Sequence, residues 1–215
     1  MKLTKDNIAV VEGDMLLSKE VEEAGRLDVA HRLLDLVHPY IPMSGVVADV
    51  GACIGDHTIT YSEWVGPKGL VYAFEPNPIA LECLRHNMDG RKNVIVVPVA
   101  LGEKRGWGSM KIDGYNIGAS QVYRDGGKIE ICALDIFNWK RLDFMKIDAE
   151  GHEPWILDGA RETIMRCRPV MLIEVNRDML GRQGWTPDDV YSRIWEMGYH
   201  ADKCDSHEFD LVCLP

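Results

Sequence analysis

Three stretches of the chain hold the residues best suited to chemistry. VADVGACIGDHT (47–58) puts Asp49 at the end of an apolar run, then glycines at 51 and 55. Gly51 permits a sharp turn and a close approach of ligand to backbone. Gly55 opens a helical stretch whose N–H groups can face a carboxylate. The spacing is Gly-x-x-x-Gly with Cys53 inside it, so the Gly-x-Gly-x-x-Gly dinucleotide fingerprint fails. FEPNP (74–78) places Glu75 after a second apolar run. An acid there can accept hydrogen bonds from both hydroxyls of a ribose, and Pro76 and Pro78 stiffen its turn. Glu75 also reads as a charge at a helix N-terminus. KIDAEGHE (146–153) and IEVN (173–176) add Asp148, Glu150, His152, Glu153, Glu174 and Asn176 at the ends of two more apolar runs. These groups suit proton transfer, though Asp148 and His152 read equally as helix-capping residues.

The elements that must position these groups follow from periodicity. Residues 19–38 carry Val21, Ala24, Leu27, Ala30, Leu33, Leu34 and Val37 at near-helical spacing. Residues 1–18 read as irregular. Strands are predicted at 46–50, 70–74, 93–101, 142–148 and 169–175, with helices at 56–65, 78–89, 153–166 and 186–198. GYHADKC and FDLVCLP read as a closing antiparallel pair. Strands alternating with helices imply a parallel sheet covered on both faces, with ligands beyond the strands' carboxyl ends. The fold class is therefore α/β, a three-layer doubly wound domain over 45–215, with 1–44 packing on its core. Seven glycines in 102–127 interrupt the alternation and point to a small β insert (102–131), the expected acceptor-recognition element.

Composition excludes several classes. The chain has 215 residues, 46% apolar and 27% charged, with a formal charge of −10. Such a balance disfavours nucleic-acid binding. Six cysteines form no Cys-x-x-Cys pair, which fits a reducing cytoplasm. The apolar run near the N-terminus is too short for a signal peptide or a membrane span. A monomer or homodimer is expected.

VADVGACIGDHT, VYAFEPNP, VALG, LDFMKIDAEGHEPWILDGA and RPVMLIEV together resemble the FkbM family of methyltransferases, from about Gly25 to the C-terminus. The resemblance implies a Rossmann-like class I methyltransferase, with a mostly parallel seven-stranded sheet whose last strand is antiparallel. It implies S-adenosylmethionine as donor and oxygen of a small molecule or sugar as acceptor. The cofactor-binding set then includes Asp49, Gly51 and Gly55 around the methionine end, with Cys53, His57 and Thr58 also in the set. Glu75 and Pro76 lie at the ribose, and Asn77, Val99 and Ala100 at the adenine, with Asp148 beside them. Cys53 stands where the family usually has Asn.

Methyl transfer from a sulfonium is an in-line displacement that needs alignment, exclusion of water and removal of a proton. Asp148, His152 and Glu174 are the expected catalytic residues, and Asn116, Ser120 and Glu150 the expected acceptor contacts. Trp107 and Tyr115 also suit a pocket wall. Asp148, Glu174 and Asn176 could hold magnesium or calcium, as an oxygen-rich set does in some class I methyltransferases. The rival readings are an RNA ribose 2′-O-methyltransferase, a non-catalytic S-adenosylmethionine-binding protein and a nicotinamide oxidoreductase. The first needs a lysine-rich set, and Lys146 is expected on the sheet face opposite Asp148.

Overall fold

The chain's long apolar runs become the centre of one twisted sheet. The computed structural model describes residues 1–29, 31–203 and 210–215, so Ala30, Cys204 and Phe209 of the expectations above lie outside the described residues. A short pair, β1 (Lys2–Leu3) and β2 (Ala9–Val10), precedes helices α1 (Leu17–Ala24) and α2 (His31–Val37). Then come β3 (Val46–Val50), α3 (Asp56–Val65), β4 (Leu70–Phe74), α4 (Pro78–Asn87), β5 (Val94–Val97) and β6 (Ala100–Leu101). The insert contributes β7 (Gly106–Lys111), β8 (Gln121–Tyr123) and β9 (Ile129–Cys132). The second half runs β10 (Phe144–Ile147), α5 (Glu153–Gly159), α6 (Arg161–Cys167), β11 (Val170–Glu174), α7 (Arg177–Arg182), α8 (Pro187–Glu196), β12 (His200–Lys203) and β13 (Asp210–Leu214).

The main sheet has the order β12-β13-β11-β10-β3-β4-β5. β5, β4, β3, β10 and β11 are parallel, and β13 is antiparallel to both β11 and β12. The chirality and burial of such crossovers put helices on both faces. One face buries Val47, Val71, Phe144 and Leu172 against Tyr61 and Val65 of α3 and Leu33 and Leu34 of α2. The other buries Ala48, Val50, Met145 and Ile147 against Ile156, Ile164, Val190 and Ile194 of α5, α6 and α8. No helix among the described residues is long and apolar enough to cross a membrane.

Several elements differ from the sequence reading. The helix expected over 19–38 ends at Gly25, whose φ of 68° and N–H bond to the Val21 carbonyl make a left-handed C-cap. The strand expected over 93–101 breaks at Pro98, which has no N–H to give a ladder. Beyond that break β6 leaves the main sheet and joins a second one, in the order β6-β9-β7-β8. The helix at 153–166 divides at Ala160 (φ −109°, ψ 0°). Residues 1–18 are more ordered than expected. Ala9 and Val10 are fully buried, and Asn87 grips the Ala9 main chain at both its N–H (2.7 Å) and its carbonyl (2.9 Å). A third bond joins Asn87 to the Ile54 carbonyl (2.8 Å), so the N-terminal strand is tied to the loop after β3.

Candidate active site

Strand register assembles the site. Lys146 pairs laterally with Asp49 on β3 and Leu172 on β11, and Asp49 pairs with Ala73 on β4. Two residues further on, the same register brings Glu75, Gly51 and Asp148, each just past its strand, into one row with Glu174, the last residue of β11. The Asp148 N–H still bonds the Val50 carbonyl (3.1 Å), and the Gly51 N–H bonds the Phe74 carbonyl (3.1 Å). Gly51 is required at the centre of this row. Its φ is +79°, and a Cβ there would overlap the carbonyl of Asp148.

The loop after β3 then closes on Glu75. Cys53 adopts φ +48°, and its N–H donates to Glu75 Oε2 (2.8 Å). The Asn77 N–H donates to Oε1 (2.6 Å). Each carboxylate oxygen keeps a second lone pair for a ligand. Burial pushes Glu75 up to about 7, with the two N–H bonds pulling the other way.

Above the row lies a cleft of about 830 Å³, its open mouth included. Gly51, Cys53, His57, Glu75, Pro76, Asn77, Val99 and Ala100 line it together with Asp148, Glu150, His152 and Ser120. Leu17 of α1 and Met110, Ile117 and Val122 of the insert roof it. That roof is pinned where the Met15 N–H bonds the Tyr115 carbonyl (2.9 Å) and Asp14 accepts from the Ile117 N–H (3.2 Å).

Not every expected residue reaches the cleft. Asp49 is fully buried beneath the loop and accepts from the Thr58 hydroxyl (2.6 Å), so these two brace the turn. Gly55 (φ +96°) packs on Leu84 and Met88 instead of lining the cleft. Asn116 lies outside the lining, and Trp107 and Tyr115 are exposed on the insert.

His152 stands at the N-cap position of α5, but its side chain makes no capping bond and is buried. It is 1% exposed, and neither ring nitrogen has a hydrogen-bond partner. It packs on Trp155 at 4.6 Å between ring centroids. Burial, aided by the Arg124 charge, lowers it to about 3, so it is a neutral imidazole and not the near-neutral base expected from its type. The expected capping role of Asp148 falls to Glu153, which accepts from the Ala149 and Gly151 N–H groups (2.9 and 3.2 Å).

The acidic set also differs from the sequence reading. Asp148, Glu150 and Glu174 each bring one oxygen within 4.8 Å of the others. The Asn176 side-chain oxygen is engaged in capping α7, accepting from the Asp178 and Met179 N–H groups. Glu150 joins the cluster from a left-handed turn (φ +54°), held by the Gln121 side chain on its carbonyl (2.7 Å). Burial, then the neighbouring carboxylates, pushes Glu150 up to about 8 and Glu174 to about 10. Protons therefore neutralise much of this cluster at neutral pH.

Lys146 is the residue sequence reasoning placed wrongly. Residues 146 and 148 are two apart along a strand and so share one face. Its ammonium is buried, 3.1 Å from Asp148, 3.8 Å from Asp49 and 3.3 Å from the Gly51 carbonyl. Burial opposes the charge, but Asp148 and Asp49 hold its pKa well above the ordinary lysine value.

The chain matches the Methyltransferase FkbM domain over residues 49–201. It is 26% identical over 180 residues to the hexuronic acid methyltransferase AglP of Haloferax volcanii, covering 80% of this chain and 69% of the relative. The crystal structure of methyltransferase FkbM from Methylobacillus flagellatus superposes with a TM-score of 0.53 at 18% identity. That match covers 79% of this chain and 43% of the other, so this chain spans less than half of that protein. Aeropyrum pernix fibrillarin with natively bound S-adenosyl-L-methionine gives a TM-score of 0.54 at 12% identity, over 82% of this chain and 68% of the other. At these identities the solved structures share the fold alone.

Proposed function

The chain belongs to the FkbM methyltransferase family, and from that premise we propose that this cleft methylates a hydroxyl of a sugar or sugar-like small molecule. One observation carries the reading. The Glu75 carboxylate is held by two backbone N–H groups beside Gly51, whose missing side chain lets the Asp148 carbonyl close in on the turn, while Asp148 and the unpartnered His152 line the other end of the same cleft. The two ends suit the two halves of a group transfer.

S-Adenosylmethionine, when bound, supplies a methyl group activated by a sulfonium. The residues present fit it. Glu75 offers its two remaining lone pairs to the ribose hydroxyls, Pro76 fixes that turn, and Asn77, Val99 and Ala100 border the base. Gly51 and Cys53 present backbone to the methionine portion, with His57 beside them. At the other end the neutral His152 offers one donor and one acceptor to an acceptor hydroxyl. Asp148 takes the proton as the oxygen–carbon bond forms. Ser120 and Glu150 contact the rest of the acceptor, and the insert roof excludes water. The relative's action on a hexuronic acid supports a sugar acceptor. The cluster of Asp148, Glu150 and Glu174 has the oxygen count for a divalent ion, but no step of this reading requires one.

The test incubates the full chain with S-adenosylmethionine and a panel of hexose and hexuronic acid glycosides. Expected is S-adenosylhomocysteine released in step with a methylated acceptor resistant to saponification. A methyl ester, or methylation at nitrogen, would overturn the hydroxyl assignment. Donor binding with no turnover on any acceptor would favour the non-catalytic binding protein. Turnover on RNA alone would restore the ribose methyltransferase, against the formal charge of −10.

A further inference from the structure

Donor and product differ by one methyl group and one positive charge. A residue that only shapes the cleft changes affinity for both molecules together, whereas a residue that senses charge changes their ratio. The cleft is lined by Asp56, Glu75, Asp148 and Glu150, and Lys146 is the only lysine or arginine among the described residues that line it. Its ammonium lies directly beneath the Gly51–Asp148 half of the row, on the Gly51 carbonyl and between Asp49 and Asp148. Asp56 and Tyr61 are the further titratable groups that face it.

We propose that Lys146 is a specificity-determining residue that sets the preference of this site between the cationic donor and its neutral product. The proposal rests on the donor reading given above. A fixed cation at this depth repels a sulfonium across a medium that screens poorly. It does not repel the thioether left after transfer. As the methyl carbon–sulfur bond breaks and the oxygen–carbon bond forms, sulfur loses its positive charge and the hydroxyl proton passes to Asp148. The repulsion therefore weakens along the reaction, which favours the transition state over the bound donor. The accompanying effect is tighter retention of product. Asp148 opposes Lys146, so the two residues bias the ratio in opposite directions.

The experiment measures dissociation constants of S-adenosylmethionine and S-adenosylhomocysteine by calorimetry on the full chain at fixed pH and salt. Lys146→Met should lower the ratio Kd(donor)/Kd(product) at least fivefold, as expected when a nearby like charge is removed. Lys146→Arg should keep the ratio within about twofold, because the charge is retained. Asp148→Asn should raise it at least threefold. The partly exposed Asp148 makes that last variant tolerable to the fold, and Lys146→Gln, which also removes the charge, decides the matter if Lys146→Met does not fold. Ratios that stay within twofold of the parent, while both ligands still bind, would overturn the charge role and leave the donor site intact. Failure of the parent chain to bind either ligand would remove the donor reading itself.

Discussion

The carbonyl of Asp148 occupies the space that a side chain on Gly51 would need. Two strands are thereby held so close at their carboxyl ends that only hydrogen fits between them. Gly51→Ala must push β3 from β10 while also holding alanine at φ +79°. We expect donor affinity to fall at least a hundredfold and stability by about 2–4 kcal/mol. Calorimetry and urea unfolding would check both. Affinity within threefold of the parent in a folded variant would mean that the close approach is not needed for binding.

Glu75 gives donor binding a pH dependence. Its carboxylate is the form that accepts two hydroxyls, and burial pushes its pKa up to about 7. Donor affinity should then fall as pH drops through that value, by more than tenfold between pH 8.5 and 5.5, since each unit below a pKa costs about a factor of ten in the charged form. Glu75→Gln should bind about tenfold more weakly at pH 8.5 and show a flat profile. A parent profile as flat as that of Glu75→Gln would detach Glu75 from the ribose.

His152 separates acceptor chemistry from donor binding. His152→Phe keeps an aromatic ring beside Trp155 but removes both nitrogens. We expect kcat/KM for a working acceptor to fall at least thirtyfold, equivalent to about 2 kcal/mol, with the donor Kd changed less than twofold. Normal turnover in this variant would assign His152 to packing alone.

The buried acids also set how stability responds to pH. Asp56, Glu75, Glu150 and Glu153 are pushed up to about 6, 7, 8 and 7, with burial the leading cause in each. Raised carboxyl pKa values mean that the folded chain holds protons which the unfolded chain releases, so stability declines as pH rises. For these four acids the window runs from the unfolded values near 4 to about pH 8, and Glu174 extends it to about pH 10. The ligand-free Tm should drop on the order of 5 °C between pH 5 and pH 8. A Tm that climbs across this range would show that other groups dominate the linkage.

Much of this site was legible in the sequence because strand register is a short-range consequence of apolar patterning. Gly51 and Glu75 follow two adjacent strands, so their meeting needed only parallel pairing. What escaped was set by competition within a few residues. Asn176 follows the right strand, but its amide oxygen is engaged by the next turn's N–H groups. Pro98 and Gly25 stopped elements that periodicity alone would have continued. Lys146 is charged, and a lysine inside an apolar strand is costly to bury unless acids stand beside it. Those acids come from register as well as from sequence neighbours. The orphaned nitrogens of His152 have no sequence signal, since they depend on Trp155 and the insert closing around the ring.

The chain enters the insert at Leu101 and leaves it at Cys132, and these two residues are paired neighbours in parallel strands. The Gly102 N–H closes the same gap on the Cys132 carbonyl (2.9 Å). A segment whose two ends already touch behaves as a cassette. It can be lengthened, shortened or exchanged without moving the strands that carry Gly51 and Glu75. On the proposed reading, in which this insert meets the acceptor, acceptor preference would diverge by grafting at one seam while the strands around the donor stay as they are.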